Sequence, residues 1–168
     1  MPRSFDMATD YDAGVEQVYR AFCDERYWLA RLADSGADEA TLDLMEHDGQ
    51  GGVNVVTTQV LHADRLPGLV TQFHPGDLAI RREERWTAVV AGRAGAEVTG
   101  AIAGAPVSLA GRAVLEQEER LARLAFRAKV DVRIPLVGGK VEKFIGSQLL
   151  ELLNAEQRFT TRWIADNH

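Results

Sequence analysis

The sequence is most restrictive in what it lacks. Cys23 is the single cysteine, so no internal disulfide can form and the chain is not a disulfide-dense secreted scaffold. Basic residues are in the minority, 19 against 25 acidic ones, for a formal charge of -6. That sign is opposite to the usual nucleic-acid-binding footprint, and nucleic acid is not expected as a partner. No uninterrupted apolar run reaches the ~18 residues of a membrane span. The opening Met-Pro-Arg-Ser-Phe-Asp also lacks the apolar stretch of a signal peptide, which predicts a cytoplasmic protein. His47, His62, His74 and His168 stand apart, without the close His, Cys and carboxylate spacing of a zinc site. The Gly49 to Gly52 and Gly138-Gly139 clusters lack the lysine and spacing of a phosphate loop, so neither a metal nor a cofactor is expected.

What remains is an ordinary globular composition, 46% apolar and 26% charged over 168 residues. One domain over 1–168 is expected, burying about 70% of the extended chain's surface, which is enough for a core or a pocket. Ser4 to Tyr11 alternates, with Phe5, Met7, Thr9 and Tyr11 on one face, and predicts a half-buried strand. Asp12 is the expected N-cap of a short helix carrying Val15, Val18, Tyr19 and Phe22. A second short helix is predicted from Glu25 to Leu32. Period two then returns, with Leu42 and Leu44 on one side, a turn at Asp48 to Gly52 and a strand over Val53 to Leu61. Leu66 to Gly76 reads as a loop, broken at most by a short extended piece. Ile80 to Val90 and Glu97 to Ala103 follow as strands.

The last strand pair is the most constrained. Val107, Leu109, Ala113 and Leu115 share one face, and Leu124, Phe126, Ala128, Val130, Val132 and Ile134 share another. Bringing the apolar faces together pairs Leu115 with Leu124 and Val107 with Val132, which demands an even number of residues in the connection near Glu118 to Leu121. Arg123, Arg127, Lys129, Asp131 and Arg133 then face solvent. After Pro135 the period becomes helical, and Val141, Ile145, Leu149, Leu152, Phe159 and Trp163 form one stripe of a long helix from about Gly138 to Ala165.

This order, a strand, two short helices, a run of antiparallel strands and a long terminal helix, resembles the helix-grip fold of the START/polyketide-cyclase (SRPBCC) superfamily, which includes the birch-pollen allergen type. Three segments carry the resemblance: Asp12-Ala13-Gly14-Val15-Glu16-Gln17-Val18-Tyr19, Glu84-Arg85-Trp86 and Ile134-Pro135-Leu136-Val137-Gly138-Gly139-Lys140-Val141-Glu142. They look most like an uncharacterised bacterial family within it. The resemblance implies an α+β architecture, a curved antiparallel sheet of six or seven strands around the terminal helix. It also implies a cavity between the two that holds lipids, sterols, polyketides or other apolar molecules. No catalytic motif of an enzyme branch matches this chain.

Within that frame, strand parity turns Arg82, Glu84 and Trp86 inward with Ile80, Ala88 and Val90, leaving Arg81, Glu83 and Arg85 to solvent. Buried charges need partners or a polar ligand group. Arg82 and Glu84 are therefore candidates to orient a ligand's polar end, the alternative being a bulge or strand end that leaves them in water. Val141, Ile145, Leu149 and Leu152 are expected to face Phe126 and Val130 across the cavity. Ala110, Gly111, Ala113 and Ala128 would leave room there. Leu66 and Leu69, flanking Pro67-Gly68, are candidates for a lid or for a small apolar cluster that pins the loop. The expected partner is thus an apolar or amphipathic small molecule. The alternatives are an enzyme of the polyketide cyclase/dehydratase type, which needs converging acid and base groups in the cavity, and an interaction module, including a homodimer.

Overall fold

The computed structural model describes residues 2–72 and 74–167. Alternating polarity produces the first strand, β1 (Arg3–Asp10), with Phe5, Met7 and Thr9 turned inward. Two short helices follow, α1 (Val15–Phe22) and α2 (Glu25–Asp34). Asp12 does not cap α1 as expected. The helix begins two residues later, behind Gly14, where side-chain carbonyls satisfy the free amides. Gly14 N–H donates to Gln17 Oε1 at 3.1 Å and Val15 N–H to Gln117 Oε1 at 2.9 Å. Asp24 caps α2 by accepting from Arg26 N–H at 2.9 Å.

Six strands run in succession from there: β2 (Glu39–His47), β3 (Val53–Leu61), β4 (Leu78–Trp86), β5 (Arg93–Ile102), β6 (Val107–Glu118) and β7 (Leu121–Val132). Between β3 and β4 the chain makes a 3-10 turn at Ala63–Arg65 and a single helical turn, α3 (Gly68–Thr71), where loop or extended chain was expected. The chain closes with α4 (Gly138–Asp166), 29 residues and about 43 Å long at ~1.5 Å per residue.

All seven strands form one antiparallel sheet in the order β1-β7-β6-β5-β4-β3-β2. Strands β2 to β7 are joined as successive hairpins, but β1 and β2 lie on opposite edges. Helices α1 and α2 therefore carry the chain from one edge to the other, and α4 crosses back, touching β1, β7 and both short helices. This is the helix-grip architecture, a curved sheet wrapped around a long terminal helix. The β6–β7 register is the expected one, Leu115 opposite Leu124 and Val107 opposite Val132, with the two residues Glu119 and Arg120 in the turn. One strand departs from simple alternation. A bulge at Asp43 in β2 puts Met45, not Leu44, on the core side with Leu42, because an extra residue reverses the parity beyond it.

The interior holds two apolar clusters. The larger gathers α1, α2, the far half of α4 and the sheet around Val55, Trp86 and Leu115, and contains most of the aromatic residues. The smaller is centred on Val107, Val130, Val132 and Val141, with Ile145, Leu149 and Leu69 packed against it. Along α4 the predicted stripe points inward, but the most buried line runs one position further on, through Gly146, Leu153, Thr160 and Ile164, leaving Ile145, Leu149 and Leu152 half-buried.

Gly146 explains that offset. The Phe5 ring of β1 lies directly on the helix backbone there, in the space a side chain would occupy. Replacing Gly146 by Ala adds about 1 kcal/mol of helix propensity, yet overpacking against Phe5 should leave Gly146→Ala less stable by about 1 to 3 kcal/mol. Urea denaturation reads the sign directly, and a stabilised variant would show that Phe5 does not set this crossing.

Candidate functional site

Strand parity brings Arg82, Glu84 and Trp86 to the inner face of β4, in register with Thr57, Val55 and Val53 of β3. The inward charges neither escape to water nor stand alone. Arg31 of α2 and Glu156 of α4 meet them, completing a quartet of two guanidiniums and two carboxylates. Arg82 Nη2 donates to Glu84 Oε2 at 2.6 Å and to Glu156 Oε1 at 3.1 Å, and Arg82 Nη1 donates to Glu156 Oε2 at 2.9 Å. Arg31 Nη2 lies 2.5 Å from Glu156 Oε1 and 4.0 Å from Glu84 Oε2. Trp86 Nε1–H donates to Glu84 Oε1 at 2.9 Å, inside the aromatic cluster where its ring lies 5.0 Å from that of Phe22.

A second chain of hydrogen bonds ties the quartet to the helices. Arg31 Nη1 donates to the Tyr27 hydroxyl at 3.2 Å, which lies 2.6 Å from Thr160 Oγ1, and the Thr160 hydroxyl donates to the Glu156 carbonyl at 2.7 Å. The Arg31 guanidinium also stacks 4.6 Å from the Trp28 ring centroid. Burial alone would raise both carboxyls, but the guanidiniums outweigh it. Arg31 and Arg82 hold Glu156 down at about 2, and Arg82 and Arg31 likewise lower Glu84.

The quartet borders a cavity of about 70 Å³ between the end of α2, strand β3 and α4, lined by Arg82, Glu156, Thr57, Gln59, Leu152 and Phe159, among others. A surface hollow of about 260 Å³ lies elsewhere, between the start of α1 and the end of α4, and is lined by none of the sequence-predicted site residues.

The structure thus assembles the predicted residues only in part. Arg82 and Leu152 share the cavity, and Glu84 and Trp86 stand directly behind it. Val130 and Val141 are buried in the smaller cluster, against which Ile145, Leu149 and Leu69 pack, and Leu66 is half-buried nearby in sequence. The room expected from small residues is taken up. Ala110 faces outward, and the Phe126 ring folds over Gly111, where a Cβ would lie 2.9 Å from Phe126 Cε1. Arg31 and Glu156 were missed. Each had a signal, an ionisable residue at an apolar position of its helix: Arg31 beside Trp28 and Leu32, and Glu156 between Leu152 and Phe159.

The outward basic residues of β7 are solvated and paired on the surface, Arg127 with Asp6 at 2.7 Å and Arg123 with Glu118 at 3.4 Å. Cys23 is half-buried at the end of α1, its thiol pushed up by burial. His168 lies outside the described residues. Among the described residues no His, Cys and carboxylate group is arranged to hold a metal ion, and no helix is long and apolar enough to cross a membrane.

Comparison with known proteins places this geometry in a family. A family model described as a protein of unknown function (DUF2505) matches residues 6–164. The chain is 49% identical to "Uncharacterized protein Rv0481c" of Mycobacterium tuberculosis over 173 residues, 99% of each chain. Among solved structures it is similar to TTHA0849 from Thermus thermophilus (TM-score 0.63, 15% identity, 99% and 100% of the two chains). It also resembles Ara h 8.0201 (0.61, 8%, 99% and 100%) and the Zhui aromatase/cyclase from Streptomyces sp. R1128 (0.55, 11%, 98% and 92%). At these identities the likeness is one of fold, the helix-grip fold.

Two outcomes follow from the quartet. Glu156→Ala leaves two buried guanidiniums facing Glu84 alone and should cost about 3 to 5 kcal/mol in chemical denaturation. In the wild type the lowered Glu84 and Glu156 contribute stability that is fully present above the ordinary glutamate value of 4.5 and is lost as pH falls toward about 2. The denaturation midpoint should therefore drop across that window, and a quartet without energetic weight would leave no difference there between the wild type and Glu156→Gln.

Proposed function

The chain belongs to the DUF2505 family, and from its helix-grip fold and the make-up of its interior we propose that it binds an apolar or amphipathic small molecule between the sheet and α4. The observation that carries this reading is the buried quartet itself. Arg82 and Glu156 keep about a fifth of their side-chain surface accessible, 21% and 19%, at a cavity whose other walls include Leu32, Leu152 and Phe159. Polar groups set beside apolar walls are what fixes the orientation of a bound small molecule. Catalysis of the cyclase type is less well supported. Both carboxylates are held ionised by the arginines, so neither is poised to exchange a proton near neutral pH.

A cavity of about 70 Å³ is far smaller than the ~300 Å³ of typical ligand sites. The structure is then the closed form, and binding requires the chamber to widen. The segment 62–77 is the part built to move. It holds Leu66, Pro67, Gly68 and Leu69, and among its described residues Leu69 and Val70 are the ones that anchor it in apolar surroundings. Its start is tethered by two carboxylates, with His62 N–H donating to Asp38 at 2.7 Å and Ala63 N–H to Asp77 at 2.8 Å. Leu69 rests on the cluster that also receives Ile145 and Leu149, so lifting α3 would open the gap beside the first half of α4. Arg82, held by Glu84 and backed by Trp86, then receives the polar end, while Phe126, Val130, Val141, Ile145, Leu149 and Leu152 contact the apolar body.

Native mass spectrometry of protein purified from its own source, or offered a mixed lipid and sterol extract, should show a retained small molecule. Hydrogen exchange of segment 62–77 should slow when it is bound. A chain that takes up nothing, with identical exchange throughout, would remove the reading. Uptake without a change in this segment would move the entrance elsewhere.

A further inference from the structure

Deepening the binding reading above, we infer that the molecule taken up carries an uncharged oxygen function, an alcohol or ketone, and that acids and amines of the same size are rejected. The argument is one of charge and hydrogen-bond accounting. Arg31 and Arg82 are balanced by Glu84 and Glu156, and at the rim Asp34 is balanced by Arg162 at 3.7 Å. The ionised groups that line or back the cavity thus sum to zero.

The carboxylates are also occupied. Glu84 Oε1 accepts from Trp86 and Glu84 Oε2 from Arg82 twice, while both oxygens of Glu156 accept from Arg82 and one also faces Arg31. A ligand carboxylate, whether it displaces Glu156 or takes the one Arg82 N–H left free, brings an unbalanced negative charge into a buried site. A ligand ammonium would need a carboxylate freed from an arginine it already holds. Either exchange strands an ion without its partner, the costliest arrangement in a low-dielectric interior.

A neutral oxygen asks for much less. Arg82 commits four of its five N–H groups to the carboxylates. Thr57, directly opposite Arg82 on β3, and Gln59 bring a hydroxyl and a primary amide to the same cavity. One guanidinium N–H, one hydroxyl and one amide N–H can donate to an alcohol or ketone oxygen, and the hydroxyl and amide oxygens can accept from an alcohol, without disturbing any ion pair. The cavity's size suits a head group of this kind, with the apolar remainder running out past Leu152 along α4.

The experiment compares decanol, decanoate and decylamine, equal in tail and different in head, by competition for the wild-type full-length chain near neutral pH. Decanol should bind at least about tenfold more tightly than either ion. Decanoate or decylamine binding as well as decanol would overturn this inference while leaving the binding reading intact. Failure of all three, together with failure to take up anything from a lipid extract, would overturn both. Glu156→Gln removes one buried anion and should shift the preference toward decanoate by about tenfold or more. An unchanged preference in the folded variant would count against the charge argument. Where that variant does not fold, the wild-type ranking alone decides.

Discussion

Four ionised side chains from three distant parts of the chain meet where water is nearly excluded, and the rest of the molecule is organised so that they can. Arg31 comes from α2, Arg82 and Glu84 from β4 and Glu156 from α4. Each carries a desolvation cost of several kcal/mol that is offset only while the others are in place. The docking of α2, the inward face of β4 and the rotation of α4 about its axis are therefore one decision. Tyr27 and Thr160 extend the same network into the helices, and Trp86 extends it into the aromatic cluster. Such a network contributes little net stability compared with an apolar core. What it supplies is a set of charged groups on a cavity wall, which an apolar core cannot.

Packing decides how much space is left around that face. Glycines at inward positions would by themselves leave an open interior, but Gly146 admits the Phe5 ring and Gly111 the Phe126 ring, so the two absences are filled from neighbouring strands. This divides the interior into two clusters and confines the remaining cavity to the end where α2, β3 and the middle of α4 meet. The half-buried Ile145, Leu149 and Leu152 lie along the seam between the filled and the unfilled part.

Much of the architecture was legible because strands allow so little freedom. With a side-chain period of two, the apolar runs of β6 and β7 admit one useful register, and the inward direction of Arg82, Glu84 and Trp86 follows from their parity with Ile80. The parity argument failed where a residue was inserted, at Asp43 in β2, and beyond Trp86, where β4 ends four residues before the expected Val90 and leaves that side chain exposed. Helices were less constrained. Their 3.6-residue period tolerates an error of one position, and the α4 stripe was drawn through Ile145 and Leu152 when the deepest line runs through Gly146 and Leu153. The start of α1 was misplaced for another reason, since its cap comes from Gln117, a hundred residues away on β6.

The sequence by itself determined the order of elements, the pairing of the final strands and the presence of charge on an inward-facing strand, because periodicity and turn chemistry are local. Tertiary structure alone decided that Arg31 and Glu156 would answer that charge and that Phe5 and Phe126 would occupy the glycine spaces. The physical reason is common to both. A side chain's own element dictates which way it points, but its partner is whatever the sheet's curvature and the crossing of α4 bring to it, and those depend on every contact at once.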